Sequence, residues 1–419
     1  MRSLGRKLLL GLLVAAVAFL LLKRKWTALF VGLLFAAHPL HTEAVEWASA
    51  RKDVLSTFFF LLSIYGYLRS RGGSSRAYKW SVFAFLLGLM SKVMVITLPV
   101  ALVLLDLQRG RKIDRSMLLD KLPDLALSVL FGIIGLFGKT AVVASSTLSA
   151  KILMACKSAV FYLQQILFPT HFSLLYPYTG EITLSSPDFL VPVAVLATLF
   201  VVVLLSLRRT RDLAFALAFY LVTVAPTFLN FAKGELDLYF ASDRYAYVPS
   251  IGVFLLLGFL LARVLPEAEE DAPRPRRLVL LGAGALAIAG LSLFSYRQSL
   301  VWADTETLFR NVLAPYPESS YVAHNNIGNV YRLQGDMEKA IAEYELALAI
   351  REHPKTLSNL GAAYRRQGKI EQALSTYRRA LELKADSTDA RFGLGIVYNE
   401  LRQYPEAETE YRAAIASNP

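Results

Sequence analysis

Apolar residues dominate the chain from Leu4 to about Tyr296, after which the pattern becomes that of ordinary soluble helix. In the first part they come in runs separated by short charged loops: 4–22, 26–37, 54–68, 80–107, 124–144, 152–169, 189–207, 212–230, 245–263 and 278–296. A bilayer core is crossed by roughly 20 apolar residues in a helix. The pattern therefore predicts an all-α chain with two domains. Residues 1–299 form a polytopic membrane domain of about ten spans, and 300–419 form a soluble helical domain.

The loops set a topology. The strongest basic ones are 23–25, 69–79, 109–121 and 208–211. Lys and Arg are kept in cytoplasmic loops, so the number of spans between two such loops is even. By that parity the segment from His38 to Asp53 is external. Residues 80–107 hold two short spans hinged near Ser91–Lys92. The run 152–169, with Lys151, Lys157, Gln164 and Gln165, is an amphipathic helix on the external face. Residues 266–277 are a charged, proline-broken cytoplasmic linker, and the soluble domain is external. The same parity puts Met1 outside, with Arg2, Arg6 and Lys7 on the unfavoured side, which suggests a chain that starts late.

The soluble part repeats. Gly328, Gly361 and Gly395 recur at intervals of 33 and 34 residues, each followed three residues later by Tyr331, Tyr364 or Tyr398. Ala340, Ala373 and Ala407 keep the same period, as do Tyr344, Tyr377 and Tyr411. Small residues where helices cross, with aromatics between them, are the tetratricopeptide pattern. The repeats are 321–353, 354–387 and 388–419, with a half-repeat at 302–317 before them. They reach Pro419 without a polar capping helix, which suggests that the chain stops early.

Composition narrows the function classes. Of 419 residues, 55% are hydrophobic, and the mean hydropathy is +0.44. The net charge of +12 comes from basic residues in short loops rather than from a continuous stripe, which argues against nucleic-acid binding. One cysteine, Cys156, excludes an intrachain disulfide framework and a thiolate metal cluster. No small-residue cleavage site follows the first apolar run, so it is not a removed signal peptide.

Between the second and third runs stands His38-Pro39-Leu40-His41-Thr42-Glu43-Ala44-Val45, followed by Arg51-Lys52-Asp53-Val54-Leu55. This resembles the signature of the transmembrane and tetratricopeptide-repeat O-mannosyltransferases and their bacterial relatives. Further stretches fit: Ser91-Lys92 with Thr97-Leu98-Pro99 and Leu104-Leu105-Asp106; Leu167-Phe168-Pro169 with Tyr176-Pro177; Asp243-Arg244-Tyr245-Ala246-Tyr247-Val248-Pro249; and the repeats. The resemblance implies a GT-C-like, multi-pass enzyme of the bacterial inner membrane with its repeats on the periplasmic side. It would move mannose or a related hexose from a polyprenyl-phosphate donor to Ser or Thr hydroxyls of a protein. In that family the acidic pair lies in the first external loop, after a first span. No such Asp-Asp pair precedes Leu4 here.

Such a transfer needs a carboxylate to take the acceptor proton and cations to stabilise the leaving phosphate. Asp53 and Glu43 are the candidate acid/base residues. Arg51, Arg244 and Lys92 are the candidate donor-phosphate contacts, and His38, His41, Asp243 and Tyr245 shape the site. Plainer roles stand beside these. Arg51 and Asp53 could pair with each other, Asp243-Arg244 could cap a span starting at Tyr245, and Lys92 could be a loop lysine. His38, His41 and Glu43 could hold a divalent metal, although hydrogen-bonded loop histidines are the simpler expectation. Tyr65, Tyr67, Tyr78 and Trp80 read as an interfacial aromatic belt. Expected partners are membrane lipid, the lipid-linked sugar and an acceptor polypeptide on the repeats. The alternatives are a non-catalytic scaffold for envelope assembly, or a ligase or polymerase of lipid-linked glycans.

Overall fold

The computed structural model describes residues 2–137, 147–230, 239–264 and 274–417. It divides into two units, Met1–Leu300 and Val301–Pro419. Most of the 266–277 linker and the end of the 124–144 run lie outside the described residues.

The helices of the first unit are α1 (Arg2–Leu22), α2 (Lys25–Ala37), α3 (Thr42–Glu46), α4 (Arg51–Ser70), α5 (Ser75–Ser91), α6 (Leu98–Gln108), α7 (Arg115–Leu119), α8 (Leu122–Phe137), α9 (Leu148–Leu167), α10 (Pro187–Ser206), α11 (Asp212–Val224), α12 (Ser250–Val264) and α13 (Arg274–Leu300). Two short strands, β1 (Tyr176–Pro177) and β2 (Tyr239–Ala241), pair antiparallel, with Tyr176 opposite Ala241.

Among the described residues, three stretches are long and apolar enough to cross a membrane: Leu4–Leu22, Pro187–Ser206 and Val279–Leu300. The pair Lys25–Ala37 and Pro39–Glu46, bent by 54°, adds a fourth. The stretches Val93–Gln108, Leu122–Phe137, Asp212–Phe228 and Ser250–Val264 are apolar but shorter. Large apolar side chains such as Val129, Ile133, Val191, Phe200, Leu281 and Leu286 face outward from α8, α10 and α13. An exterior of that kind belongs in lipid, and the first unit is a helical membrane domain.

Polar side chains collect at the helix ends. At one end Lys7 donates to Thr42 Oγ1 (3.2 Å) and Ser295 Oγ (2.6 Å), and Arg6 donates to the Val45 carbonyl. Arg6 and Lys7, two of the basic residues that fitted the topology poorly, are thus spent on internal hydrogen bonds. At the other end Asp106 accepts from Tyr67 (2.6 Å), Lys121 (2.9 Å) and Arg111 (3.1 Å), and Asp120 accepts from Arg71 and Arg111. Gln108 and Arg263 bind Asp212 close by. Three of the basic loops therefore share one end. Tyr67 does not belong to an aromatic belt: it is fully buried, because its hydroxyl completes the shell of a carboxylate at the end of an apolar helix. Trp80 is exposed.

Two prolines interrupt the helices where function is sought. Pro39 disfavours helical geometry at the residue before it, and His38 is extended (φ −68°, ψ 128°). Pro99 sits in the first turn of α6, and its ring would clash with the carbonyl four residues back in a continuous helix. The β-branched Val93, Val95, Ile96 and Thr97 before it form a 3-10 turn, and Lys92 is extended (φ −162°, ψ 125°). The hinge near Ser91–Lys92 is therefore real. The 245–263 run differs from expectation. Asp243–Ala246 is a separate turn, and α12 begins only at Ser250. The 152–169 run is amphipathic, but its polar-flanked face (Met154, Ser158, Tyr162, Gln165) is buried within the unit.

The second unit stacks helix pairs: α14 (Thr305–Leu313), then α15 (Tyr321–Gln334) with α16 (Met337–Ile350), α17 (Pro354–Arg366) with α18 (Ile370–Leu383), and α19 (Thr388–Glu400) with α20 (Tyr404–Ser417). The periodic glycines face the periodic tyrosines. A Cβ at Gly361 would stand 2.9 Å from the Tyr377 ring, and one at Gly328 2.6 Å from Tyr344. Overpacking of this kind costs about 1–3 kcal/mol. Gly361→Val is therefore expected to speed hydrogen exchange across α17 and α18; unchanged protection there would refute this account of the repeat.

Candidate active site

The segment after α2 is held by its histidines. His38 Nδ1 accepts from the Leu40 N–H, so its proton sits on Nε2, which donates to the Ile166 carbonyl at 3.1 Å. His41 Nδ1 donates to the Phe35 carbonyl (2.7 Å) and its Nε2 faces Ser250 Oγ (3.1 Å). All four ring nitrogens are engaged. The pair ties α2, α9 and α12 around the break, and offers no free lone pair to a metal. His38 and His41 are hydrogen-bonded loop residues.

One turn on, the buried Glu43 takes three hydrogen bonds. Oε1 accepts from Ser242 Oγ (3.0 Å) and from the Arg244 guanidinium, and Oε2 accepts from the Arg244 backbone N–H (2.8 Å). The hydroxyl and peptide groups come from the chain just after β2. That strand is anchored to α9, where Ser158 Oγ donates to the Phe240 carbonyl and Tyr162 OH accepts from the Ser242 N–H (3.0 Å). Asp243 points the other way and accepts from Tyr176 OH of β1 (2.7 Å). Burial, and then the Glu43 carboxylate, push its carboxyl well above the usual range. The guanidinium of Arg244 lies 4.7 Å from the Trp47 ring and 4.8 Å from the Tyr245 ring, a cation–π arrangement.

Asp53, in the first turn of α4, is paired with Lys92. Its Oδ1 accepts from the ammonium, while its buried Oδ2 has no hydrogen-bond partner among the described residues. Burial pushes Lys92 below the usual lysine range, against the opposing pull of Asp53. Asp53, Lys92, Arg244 and Tyr245 line one open pocket, together with Ser56, Thr57, Thr223, Thr227 and Tyr247.

The structure thus brings Asp53, Lys92, Arg244 and Tyr245 to one cavity. Glu43 stands behind Arg244, with Asp243 and the two histidines as supports. Arg51 is not among the lining residues; it is exposed at the start of α4, and Asp53 pairs with Lys92 instead of with it. Tyr245 is a wall residue, not the start of a span. Trp47, Tyr162, Ser242, Tyr247 and the hydroxyls of α4 and α11 carried no sequence signal of their own beyond lying in or beside the resembling stretches.

Comparison with known proteins adds two findings. Tetratricopeptide repeat models match residues 319–386 and 359–419. Parts of the chain are similar to protein O-mannosyl-transferases. Human TMTC2 is 42% identical over 73 residues (17% of this chain, 9% of that protein), and Drosophila melanogaster Tmtc2 is 30% identical over 110 residues (26% and 11%). Human TMTC3 is 46% identical over 46 residues (11% and 5%). The matched stretches span about a tenth or less of these relatives. The crystal structure of yeast Tom70 aligns over 94% of this chain and 88% of that one, at 15% identity and a TM-score of 0.26, too low to carry anything across. The chain therefore joins tetratricopeptide repeats to a helical membrane domain and resembles protein O-mannosyl-transferases.

Proposed function

We propose that this chain is a GT-C-like membrane glycosyltransferase that moves mannose or a related hexose from a polyprenyl-phosphate carrier to a protein Ser or Thr hydroxyl. The site would face the external side of a bacterial inner membrane, and the repeats would position the acceptor. One observation carries the reading: a buried carboxylate, Asp53, has one oxygen on Lys92 and the other without a partner among the described residues, in the wall of a pocket that also presents Arg244.

The chemistry balances on these groups. The acceptor oxygen bonds to the anomeric carbon as the bond from that carbon to the phosphate oxygen breaks. The phosphate leaves with the bonding electron pair, and the acceptor proton passes to Asp53. Protonation of Asp53 removes the charge that neutralised Lys92. A full positive charge is thus left beside the phosphate at the moment its own negative charge grows, which is where stabilisation lowers the barrier. Glu43, with its oxygens filled by Ser242 and Arg244, is a positioning residue for Arg244 rather than the base.

The test is hexose transfer from polyprenyl-phosphate-mannose to a Ser/Thr peptide by membranes carrying the chain. Labelled peptide is expected. Label appearing only in longer lipid-linked glycan would favour the polymerase reading. No transfer of any of several hexoses, with partner proteins still captured by the repeats, would favour the scaffold.

A further inference from the structure

We infer that Ser56, Thr57, Thr223, Thr227 and Tyr247 form a polyol subsite in the pocket floor, which holds the sugar ring while Lys92 and Arg244 hold its phosphate. The inference rests on the reading of those two cations given above.

The argument is one of hydrogen-bond polarity. A hydroxyl has one proton to give and two lone pairs to receive with. Ser56 Oγ and Thr57 Oγ1 both donate to the Asp53 carbonyl (3.1 and 2.7 Å). Thr223 Oγ1 donates to the Phe219 carbonyl (2.7 Å), and Thr227 Oγ1 to the Val224 carbonyl (2.6 Å). Four hydroxyls from α4, α11 and the turn Ala225–Asn230 have thus committed their protons to backbone. Towards the pocket they can only accept. The unpartnered Oδ2 of Asp53 is a further acceptor in the same wall.

Tyr247 supplies the opposite polarity. Its hydroxyl is buried and has no partner among the described residues, although it lines the same pocket. A buried hydroxyl without a partner is destabilising and calls for an explanation. The ligand that fits several acceptors and one donor, beside two cations, carries several hydroxyls of its own and an anionic group. A bare phosphate would satisfy the cations and leave the acceptor wall unmatched. An apolar chain would leave both unmatched. A sugar phosphate matches both.

The experiment compares the affinities of the full-length protein in detergent for polyprenyl-phosphate-mannose and for bare polyprenyl phosphate. The wild type is expected to prefer the mannosylated lipid by about tenfold, the scale of one or two added hydrogen bonds. Thr57→Val with Thr223→Val and Thr227→Val should bring that ratio close to one without weakening the bare lipid. Tyr247→Phe should lower it about threefold, and the matching Thr→Ser variants should keep it. An unchanged ratio in the valine variant, or no preference in the wild type, overturns the subsite and leaves the phosphate reading intact. Binding of neither lipid by the wild type overturns both. If the valine variant misfolds, the ratio in Tyr247→Phe decides.

Discussion

Asp53→Asn is expected to lower the rate of hexose transfer by about 10²–10⁴, the range general-base catalysis supplies, while donor lipid still binds at a pH low enough to keep Lys92 protonated. The amide is nearly the same size and keeps an oxygen for the Lys92 ammonium, but it cannot take the acceptor proton. A second effect separates this role from a merely structural one. Burial already holds Lys92 below its usual range, and Asp53 is what opposes that fall. Once the carboxylate is gone, Lys92 loses its proton at a lower pH. Donor binding needs the protonated amine, so it is present below the Lys92 pKa and lost as pH rises through it. The alkaline limb of donor binding should therefore move to lower pH in the variant. Donor affinity and transfer are read across a pH series. Retained transfer, or a limb that stays in place, would remove Asp53 from the centre of the site.

The residues at issue here show which parts of the molecule could be read from the chain alone. Runs, breaks and repeats are local properties. The polar segment after Ala37, the hinge near Ser91–Lys92 and the glycine–tyrosine period were therefore legible in the sequence, whereas Pro39 and Pro99 explain the breaks only once the helices are seen to stop there. Partners are not local. Asp53 and Lys92 are 39 positions apart, and Glu43 and Arg244 are 201 apart. Pairing Arg51 with Asp53 was attractive because they are close in sequence. Both residues lie in the first turn of α4, and residues two apart on a helix do not face each other. Asp53 therefore turns inward to Lys92 and Arg51 turns out. Tyr67 misled in a similar way. An aromatic at the end of an apolar run normally marks an interface, and only the approach of Asp106 from another helix shows that its hydroxyl is needed inside. The hydroxyl wall was the least legible feature. Ser and Thr are unremarkable in membrane helices, where they bond their own backbone. Their meaning here comes from four of them sharing a pocket with two cations.

Arg244→Ala is expected to be the most damaging single change to the fold of the membrane unit, costing about 3–5 kcal/mol. That is the scale of leaving one member of a buried ion pair alone. Glu43 is 3% exposed and Arg244 9%. Removing the guanidinium leaves a buried carboxylate with the Ser242 hydroxyl and one peptide N–H as its remaining donors. It also empties the space between the Trp47 and Tyr245 rings. Loss of activity in this variant would be uninformative by itself, because a collapsed site also fails to turn over. A second variant removes the ambiguity. Glu43→Gln combined with Arg244→Met takes away both charges and keeps much of the volume, an exchange that buried ion pairs often tolerate. Its thermal unfolding in detergent should return close to that of the wild type. If Arg244 serves only to hold the chain after β2 against α3, donor binding should return with stability. If it holds the donor phosphate, stability returns and binding stays weakened by about tenfold or more, the scale of one lost charge-assisted hydrogen bond. The second pattern is the expected one, because the guanidinium lines the pocket that also holds Lys92.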